Sequence, residues 1–278
     1  MIYINGVKFL PDSSSGHDMV IALLDHPDLV AASHAFCAIP ERKFSSVSDE
    51  PVKPKCVYLF QREYATVDPA LVEIVGTDEA TTCVGMVIRN SRTGMTCVAH
   101  LDSPDVVVVG LFQMMSLVSD RDDDNILEVH IVGAFDDAGP QVETSSGSVI
   151  PASFDASTRG PDDIIRKIRL NASFEDPGRA GRLLDTYETQ TDRFVITPFQ
   201  WSNRLVRYAW WMRNRPDMEI LYSTSTSPSA EGPDYVENQK RVWDYLIQHP
   251  DWKQVFPSKL ARVFERIGST SWVMISET

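Results

Sequence analysis

The alternation of apolar and polar residues predicts strands in the first half of the chain. Residues 83–88 are apolar almost throughout, which is typical of a strand that is buried on both faces. A polar turn at 90–94 leads into a returning apolar segment at 95–100, so the two segments are predicted to form a β-hairpin. Further strands are predicted over 57–60 and, most clearly, over 126–135.

Helical spacing of apolar residues appears elsewhere. It predicts helices over 17–37 with a break at Pro27, over 105–118, from 162 to 169 and over 235–249. Segments 183–188 and 193–198 resemble a second hairpin, and a short helix and a strand over 271–276 close the chain.

Polar stretches separate these elements. Residues 40–55 and 223–234 are predicted loops, and the segment 136–149, rich in Asp, Gly, Ser and Thr, is the clearest break. Because strands mainly precede helices, we expect an α+β fold with a mixed or antiparallel, sandwich-like β-sheet core and flanking helices. We expect residues 1–278 to form a single domain.

The charge balance argues against two classes of binding protein. The chain of 278 residues carries 39 acidic and 26 basic residues, a net charge of −13, which argues against nucleic-acid binding and against docking on an anionic membrane. No apolar run is long enough to span a bilayer, and the amino terminus does not resemble a signal peptide. Four cysteines without zinc-ligand spacing predict no metal and no disulfide framework, and hence a reducing compartment such as the cytoplasm or nucleus.

Cys83 and His100 are the leading candidates for chemistry. Cys83 begins one strand of the predicted hairpin and His100 ends the other, an arrangement that can pair a thiol nucleophile with its base. Strand alternation places Thr96, Val98 and His100 on one face and Cys97 on the other. The alternative is that Cys83 is a small buried apolar residue and His100 a hydrogen-bonded structural one.

Several further residues are candidates for orienting the base or binding a substrate. His130 is the second candidate base and shares a strand face with Glu128, although a core histidine oriented by Glu128 is the simpler interpretation. Thr77, Asp78, Glu79 or Asp102 could fix the tautomer of the base. The same carboxylates could bind a cationic group of a substrate, or they could belong to a solvated turn.

At these residues the chain resembles a known family. The matching segments are Phe60-Gln-Arg-Glu-Tyr-Ala65, Gly76-Thr-Asp-Glu-Ala-Thr-Thr-Cys83, Gly94-Met-Thr-Cys-Val-Ala-His-Leu-Asp102, 127–133 with 135–137, and Ser225-Thr-Ser-Pro-Ser-Ala-Glu231 with 235–237. In their order and spacing they resemble the protein N-terminal asparagine amidohydrolases, in a plant-like form. The cysteine–strand–turn–strand–histidine layout is more distantly similar to the CheD-type receptor glutamine deamidases.

The resemblance implies an enzyme that deamidates an amino-terminal asparagine to aspartate and releases ammonia. It places the chain in the N-degron pathway, in which an arginyltransferase then modifies the new aspartate. It further implies Cys83 as the nucleophile and, by the distant similarity, His100 as the base and Thr77 as the group that orients it. No cofactor is needed, and we expect a monomer that acts on proteins and peptides.

Restriction to an amino-terminal residue requires a group that binds the α-ammonium. Asp78, Glu79, Asp102 and Glu128 are the candidate carboxylates, and His130 is a further candidate for substrate contact. Two other functions stay open, namely a different cysteine hydrolase, such as a peptidase or glutamine deamidase, and a non-catalytic module that binds N-terminal asparagine.

The chain departs from the family pattern near 136–149. Relatives carry a helix and further strands before the segment that matches 150–154, whereas here the two parts are almost contiguous. We expect the loss of such a block to expose apolar surface and unpaired strand edges, and to lower stability and activity.

Overall fold

The computed structural model describes residues 2–10, 15–45, 53–119, 126–133, 139–176 and 181–275. Its helices are α1 (Gly16–Leu24), α2 (Pro27–Cys37), α3 (Val107–Val118), α4 (Asp163–Ser173), α5 (Asn203–Arg213), α6 (Asp217–Thr224) and α7 (Tyr235–Gln248). Its strands are β1 (Tyr3–Ile4), β2 (Val7–Lys8), β3 (Arg42–Phe44), β4 (Cys56–Tyr58), β5 (Glu63–Val67), β6 (Ile74–Gly76), β7 (Val84–Asn90), β8 (Thr96–Leu101), β9 (Leu127–Gly133), β10 (Gly139–Glu143), β11 (Val149–Phe154), β12 (Leu184–Asp185), β13 (Tyr187–Glu188), β14 (Arg193–Ile196), β15 (Arg262–Ile267) and β16 (Ser271–Ile275). Among the described residues, no helix combines the length and the apolar character needed to cross a bilayer.

Two five-stranded sheets carry the core. One has the strand order β3-β11-β10-β6-β4 and the other the order β12-β5-β8-β7-β9. Val57 and Val142 of the first sheet and Val87 and Val98 of the second are fully buried in one apolar cluster. The two sheets therefore pack against each other as layers of a sandwich. Both contain parallel and antiparallel pairs, which confirms the α+β fold with a mixed sheet core.

Helix α3 covers the outer face of the second sheet. Ile88, Cys97 and Leu101 pack there in a second apolar cluster with Met114 of α3. Because side chains alternate along a strand, β7 and β8 contribute one set of residues to the sandwich and the other set to α3. This confirms that the strand after Cys83 is buried on both faces and that Cys97 points away from the face of Val98.

The predicted hairpin forms between β7 and β8. Val84 lies opposite Leu101 and Gly85 lies opposite His100. At the turn, the side-chain oxygen of Asn90 accepts hydrogen bonds from the backbone N–H groups of residues 92 and 93. Gly94 follows with a φ of 77°, a conformation that glycine adopts without a steric penalty.

Strand β9 is the edge of the second sheet. It pairs with β7, and Val129 and Ile131 are 54% and 67% exposed. The strand itself was correctly predicted, but the interpretation of His130 as a core histidine is wrong, because this edge position leaves His130 exposed. The edge lies just before the segment at which the chain departs from the family pattern.

A buried ion cluster ties α4 to the second sheet. Glu63 at the start of β5 is ion-paired with Arg166 and Arg169, at 2.5 and 2.8 Å, and all three side chains are buried. Burial alone raises the pKa of Glu63, but the two guanidinium groups outweigh that effect and hold the pKa below its usual value. The cluster therefore fixes α4 beside the end of the sandwich that carries His100.

Several sequence predictions fail in the connecting segments. The predicted break over 136–149 contains strand β10, which lies between β11 and β6, and the predicted loop over 40–55 contains β3. These strands were missed because they are short and because their residues do not follow an apolar alternation. Strand β15 and helices α5 and α6 were also missed. Residues 134–138, including Asp136 and Asp137 of the matching segments, lie outside the described ranges.

Candidate active site

Thr77 connects His100 of the second sheet to the first sheet. Thr77 directly follows β6, and its Oγ1 lies 2.7 Å from Nδ1 of His100 and 2.8 Å from the carbonyl oxygen of Leu59. Thr77 is fully buried and His100 is 1% exposed, so water does not compete for these hydrogen bonds.

The hydrogen-bond partners of Thr77 determine the tautomer of His100. A threonine hydroxyl has one proton, and the Leu59 carbonyl can only accept it. The hydroxyl oxygen therefore accepts a hydrogen bond from the protonated Nδ1 of His100. The other nitrogen, Nε2, then carries the lone pair, and among the described residues it is buried without a hydrogen-bond partner. Such a nitrogen can take up a proton from a nearby group.

Cys83 adjoins the strand that pairs with the strand of His100. It is the residue immediately before β7 and two positions before Gly85, which pairs with His100. Residues two apart on a strand share a face, and diagonal neighbours on adjacent strands are about 7 to 8 Å apart. Cys83 itself is half-buried.

The thiol and the imidazole are both neutral at physiological pH. Burial raises the pKa of the Cys83 thiol to about 11, Asp102 and Glu231 add to the rise, and a hydrogen bond with Thr82 opposes it. Burial lowers the pKa of His100 to about 4, although Asp102, Glu79 and Glu63 act in the opposite direction. The free protein thus holds a protonated thiol and an imidazole ready to accept a proton.

Asp78 and Glu79 are both held by Arg159. Asp78 is buried, accepts hydrogen bonds from Tyr58 Oη at 2.6 Å and from the backbone N–H of Phe154 at 2.6 Å, and lies 3.5 Å from the Arg159 guanidinium. Burial raises the pKa of Asp78 to about 6, against the effect of Arg159. Glu79 is exposed, has a φ of 55°, and lies 2.5 Å from Arg159. The interpretation of this pair as a solvated turn is wrong for Asp78.

Asp102 follows the strand of His100 and is ion-paired with Arg62. The Arg62 Nε lies 2.9 Å from the Asp102 carboxylate, whose side chain is 2% exposed, and Gln61 donates a further hydrogen bond at 3.2 Å. Asp102 raises, through its negative charge, the pKa of both the Cys83 thiol and the His100 imidazole. It contributes negative charge to the site, and Thr77 is the residue that contacts Nδ1.

Glu128 and His130 lie elsewhere on β9. Glu128 is opposite Arg89, its ion-pair partner at 3.0 Å, and His130 is opposite Val87. Cys83 adjoins the other end of β7, and residues along a strand are about 3.3 Å apart. The structure therefore does not bring Glu128 to Cys83 and His100. Val87, the cross-strand partner of His130, is three positions along β7 from Val84, the residue next to Cys83.

The polar loop between α6 and α7 contacts Thr82, the residue before Cys83, although the sequence of the loop suggests only a plain loop. Thr226 Oγ1 lies 3.1 Å from Oγ1 of Thr82, the residue before Cys83. In the same loop, the Ser225 hydroxyl donates a hydrogen bond to Glu231. Sequence reasoning missed that this loop lies beside Thr82, and the signal that could have indicated it is the matching segment 225–231.

Strand β10 closes the site from the first sheet. A Cβ atom at Gly85 would lie 2.4 Å from Cγ of Pro140, and one at Gly139 would lie 2.0 Å from the carbonyl oxygen of Thr77. Gly85 is the cross-strand partner of His100, so the Pro140 ring packs on the sheet face that carries the imidazole. This close packing depends on the two glycines.

Across the described parts of the chain, His, Cys, Asp and Glu side chains form no group of three or more that could hold a metal ion.

Comparison with known proteins relates the chain to one family. Residues 46–140 and 138–274 match the family model described as protein N-terminal asparagine amidohydrolase. An Arabidopsis thaliana protein of that name is 40% identical over 344 residues, covering 98% of this chain and 99% of the relative. Proteins of the same name from Homo sapiens and Sus scrofa are 29% and 30% identical over 266 residues, each covering 79% of this chain and 84% of the relative. The chain belongs to the protein N-terminal asparagine amidohydrolase family.

Proposed function

We propose that this chain deamidates the side chain of an amino-terminal asparagine in proteins and peptides, giving aspartate and ammonia through a thioester on Cys83. The observation that carries the proposal is the buried His100, whose Nδ1 is bound by Thr77 and whose Nε2 is left to accept a proton. Cys83 lies two positions before Gly85, the cross-strand partner of His100. Family membership supplies the substrate class.

The first half of the reaction forms the thioester. The Cys83 proton passes to Nε2 of His100 as the sulfur attacks the side-chain carboxamide carbon, which makes the C–S bond. The resulting oxyanion is stabilised by backbone N–H groups near Cys83, each worth roughly 3 to 4 kcal/mol in the transition state. Nε2 then gives its proton to the leaving nitrogen, the C–N bond breaks, and ammonia departs.

The second half consumes one water molecule. Nε2 accepts a proton from the water as its oxygen adds to the thioester carbon, and the C–S bond breaks with return of that proton to the sulfur. The products are an amino-terminal aspartate and the regenerated thiol. Base catalysis of this kind contributes about 10²- to 10⁴-fold to the rate.

The function is tested by ammonia release and by mass on matched peptides. A peptide that begins with asparagine should gain about one dalton, because NH₂ is exchanged for OH, whereas peptides with N-terminal glutamine or internal asparagine should not change. The Cys83→Ala variant should be inactive, and Cys37→Ala, which removes an exposed thiol, serves as the control. Turnover by Cys83→Ala, or equal turnover of the glutamine peptide or the internal amide, would contradict the proposal and favour a different hydrolase.

A second candidate function is the binding of N-terminal asparagine without turnover. It is favoured by the thiol pKa of about 11 and by Pro140, which packs on the face of His100. The alignment with the Arabidopsis relative extends over 344 residues, more than the length of this chain, and the two family-model matches meet at 138–140. We propose that an internal segment is absent at this point. Binding of the asparagine peptide by well-folded protein without ammonia release would identify this function.

The cellular setting is a further part of this proposal. The aspartate product is a substrate for arginylation, so we place the chain in the N-degron pathway upstream of an arginyltransferase, in the cytoplasm or nucleus. We propose that it acts as a monomer and that it is a single amidohydrolase domain, since the largest apolar cluster joins residues from both sheets with α4, α5 and α7. Size-exclusion chromatography with light scattering tests the monomer.

A further inference from the structure

We propose that Asp78 is a positioning residue, which holds Thr77 at the place from which its hydroxyl fixes the tautomer of His100. This inference rests on the proposed deamidation, because that reaction requires Nε2 of His100 to accept the proton of Cys83. Asp78 directly follows Thr77, and both of its carboxylate oxygens are bound by residues other than His100. It therefore acts on the imidazole through Thr77 and not by direct contact.

Two adjacent residues at the end of β4 hold two adjacent residues that follow β6. The Leu59 carbonyl oxygen accepts a hydrogen bond from Thr77 Oγ1 at 2.8 Å. One residue earlier, Tyr58 Oη donates a hydrogen bond to Asp78 Oδ1 at 2.6 Å. The N–H of Leu59 also donates to the carbonyl oxygen of Gly76 at 2.9 Å. The end of β4 thus fixes the backbone before Thr77, the hydroxyl of Thr77 and the side chain that follows it.

The second carboxylate oxygen attaches Asp78 to β11. The backbone N–H of Phe154 donates a hydrogen bond to Asp78 Oδ2 at 2.6 Å, and Nη2 of Arg159 lies 3.5 Å from the same oxygen. Nε of Arg159 donates to the carbonyl oxygen of Phe154 at 2.9 Å, which fixes the arginine in turn. Hydrogen bonds to a charged acceptor are stronger than those between neutral groups. Asp78 is therefore held from β4 on one oxygen and from β11 on the other.

Tyr58 provides a rigid donor for this arrangement. It is 1% exposed, and its ring packs against the rings of Phe60 and Phe154, with centroids 4.9 and 5.1 Å away. Nη2 of Arg166 donates a hydrogen bond to the Tyr58 carbonyl oxygen at 2.7 Å. Because both the ring and the backbone of Tyr58 are fixed, its hydroxyl sets the position of the Asp78 side chain.

The position of Asp78 matters because Thr77 has few other supports on that side. The backbone N–H of Thr77 donates to the Pro140 carbonyl oxygen at 3.2 Å, at the long end of the usual range. Without the anchors on Asp78, we expect Thr77 Oγ1 to move away from Nδ1 of His100, which it now approaches to 2.7 Å. A fraction of the imidazole then carries its proton on Nε2 and cannot act as the base.

Three substitutions separate anchoring from other roles of Asp78. Asp78→Ala removes both anchors. Asp78→Asn removes the charge but keeps both hydrogen bonds, since its carbonyl can accept from the Phe154 N–H and its amide can donate to Tyr58 Oη. Tyr58→Phe removes one anchor, keeps the aromatic ring and remains informative if Asp78→Ala does not fold.

The chain offers a matched control for Tyr58→Phe. Tyr187 is 5% exposed, and its hydroxyl donates a hydrogen bond to Asp192 at 2.9 Å. Asp192 is ion-paired with Arg266 at 2.8 Å, so the group has the same tyrosine, aspartate and arginine chemistry as Tyr58, Asp78 and Arg159. Tyr187→Phe therefore removes the same kind of hydrogen bond from a group that does not hold Thr77.

The test reads the tautomer of His100 by ¹⁵N NMR in the free protein and measures ammonia release. We expect Asp78→Ala to raise the Nε2-protonated fraction and to lower kcat by about 10- to 100-fold, and Tyr58→Phe to lower it by about 3- to 10-fold. KM should stay within about twofold, because Asp78 does not contact the substrate. Asp78→Asn and Tyr187→Phe should keep the tautomer of the wild-type chain.

The outcomes distinguish this proposal from the proposed function. A wild-type tautomer in both Tyr58→Phe and folded Asp78→Ala overturns the role of Asp78, whatever the turnover. The role is also overturned if Asp78→Asn shifts the tautomer as far as Asp78→Ala, if Asp78→Asn raises KM alone, or if Tyr187→Phe shifts the tautomer as far as Tyr58→Phe. The expected pattern of tautomers supports the role even if the wild-type chain releases no ammonia, in which case only deamidation fails.

Discussion

The hydrogen bonds of Thr77 predict a specific defect in Thr77→Val. Valine matches the shape of threonine but has no hydroxyl, so the Leu59 carbonyl loses a donor and Nδ1–H of His100 loses its acceptor. Thr77 is fully buried and His100 is 1% exposed, so water cannot replace either bond. An unsatisfied buried polar group costs about 1 to 3 kcal/mol. The variant should therefore lose about 2 to 6 kcal/mol of unfolding free energy.

The same substitution should change the base itself. Without Thr77 Oγ1, no acceptor stabilises the proton on Nδ1 of His100. A fraction of the molecules then adopts the tautomer in which Nε2 is protonated. Loss of one orienting hydrogen bond corresponds to a fall of about 10- to 100-fold in kcat. The fall should appear in kcat more than in KM, because Thr77 does not contact the substrate.

Three measurements test the role of Thr77. Urea unfolding gives the stability of each variant, ¹⁵N NMR of the imidazole gives the tautomer of His100, and ammonia release gives kcat. Thr77→Ser keeps the hydroxyl and should retain the wild-type tautomer and most of the activity. The reasoning would be refuted if Thr77→Val kept both the Nδ1-protonated tautomer and the wild-type unfolding free energy.

Four further predictions follow from the site and its supports. Cys83→Ala should abolish ammonia release with little change in the thermal midpoint, because the residue is half-buried; residual turnover equal to that of wild type would exclude Cys83 as the nucleophile. The pKa of His100 is lowered from 6.5 to about 4, so the unfolded chain takes up a proton at this residue before the folded chain does as the pH falls. The free energy of unfolding should therefore be unaffected by this group above about pH 6.5 and should fall by up to about 3 kcal/mol between pH 6.5 and 4. Urea unfolding of His100→Gln should not show this fall. Glu63→Gln leaves Arg166 and Arg169 buried without their carboxylate and should cost about 3 to 5 kcal/mol in urea unfolding, whereas Glu188→Gln, at the exposed position of β13, serves as the control. Gly85→Ala places a methyl group 2.4 Å from Cγ of Pro140 and should cost about 1 to 3 kcal/mol, a loss that Pro140→Gly in the same chain should partly relieve.

The sequence predicted the hairpin of β7 and β8 well because its signals are local. An apolar run, a polar turn ending in Gly94 and a second apolar run lie within 18 residues, and side-chain alternation then assigns His100 to its face. Strand β10 was not predicted because its place in the sheet depends on β6 and β11, which are distant in sequence.

The ion-pair partners of the acidic residues could not be predicted from the sequence either. Asp78 and its partner Arg159 are 81 positions apart in the sequence, and Asp102 and Arg62 are 40 positions apart. The sequence therefore identifies these carboxylates as candidates but does not indicate that each is ion-paired with an arginine. The contact between Thr226 and Thr82 was overlooked for the same reason. It spans 144 positions, and only the folded chain places the polar loop beside the residue that precedes Cys83.

The hydrogen bond between Thr77 and His100 spans the two layers of the sandwich, since Thr77 follows a strand of one sheet and His100 belongs to the other. The spacing between the layers is set by the apolar residues packed between them, such as Val57, Val87 and Val98. A change of a few tenths of an ångström in that spacing would be absorbed by soft apolar contacts but would stretch a 2.7 Å hydrogen bond. The rate of the reaction should therefore respond to small changes in the spacing between the two layers. Substitutions deep in the interior, far from any substrate, should slow the reaction before they measurably lower the free energy of unfolding.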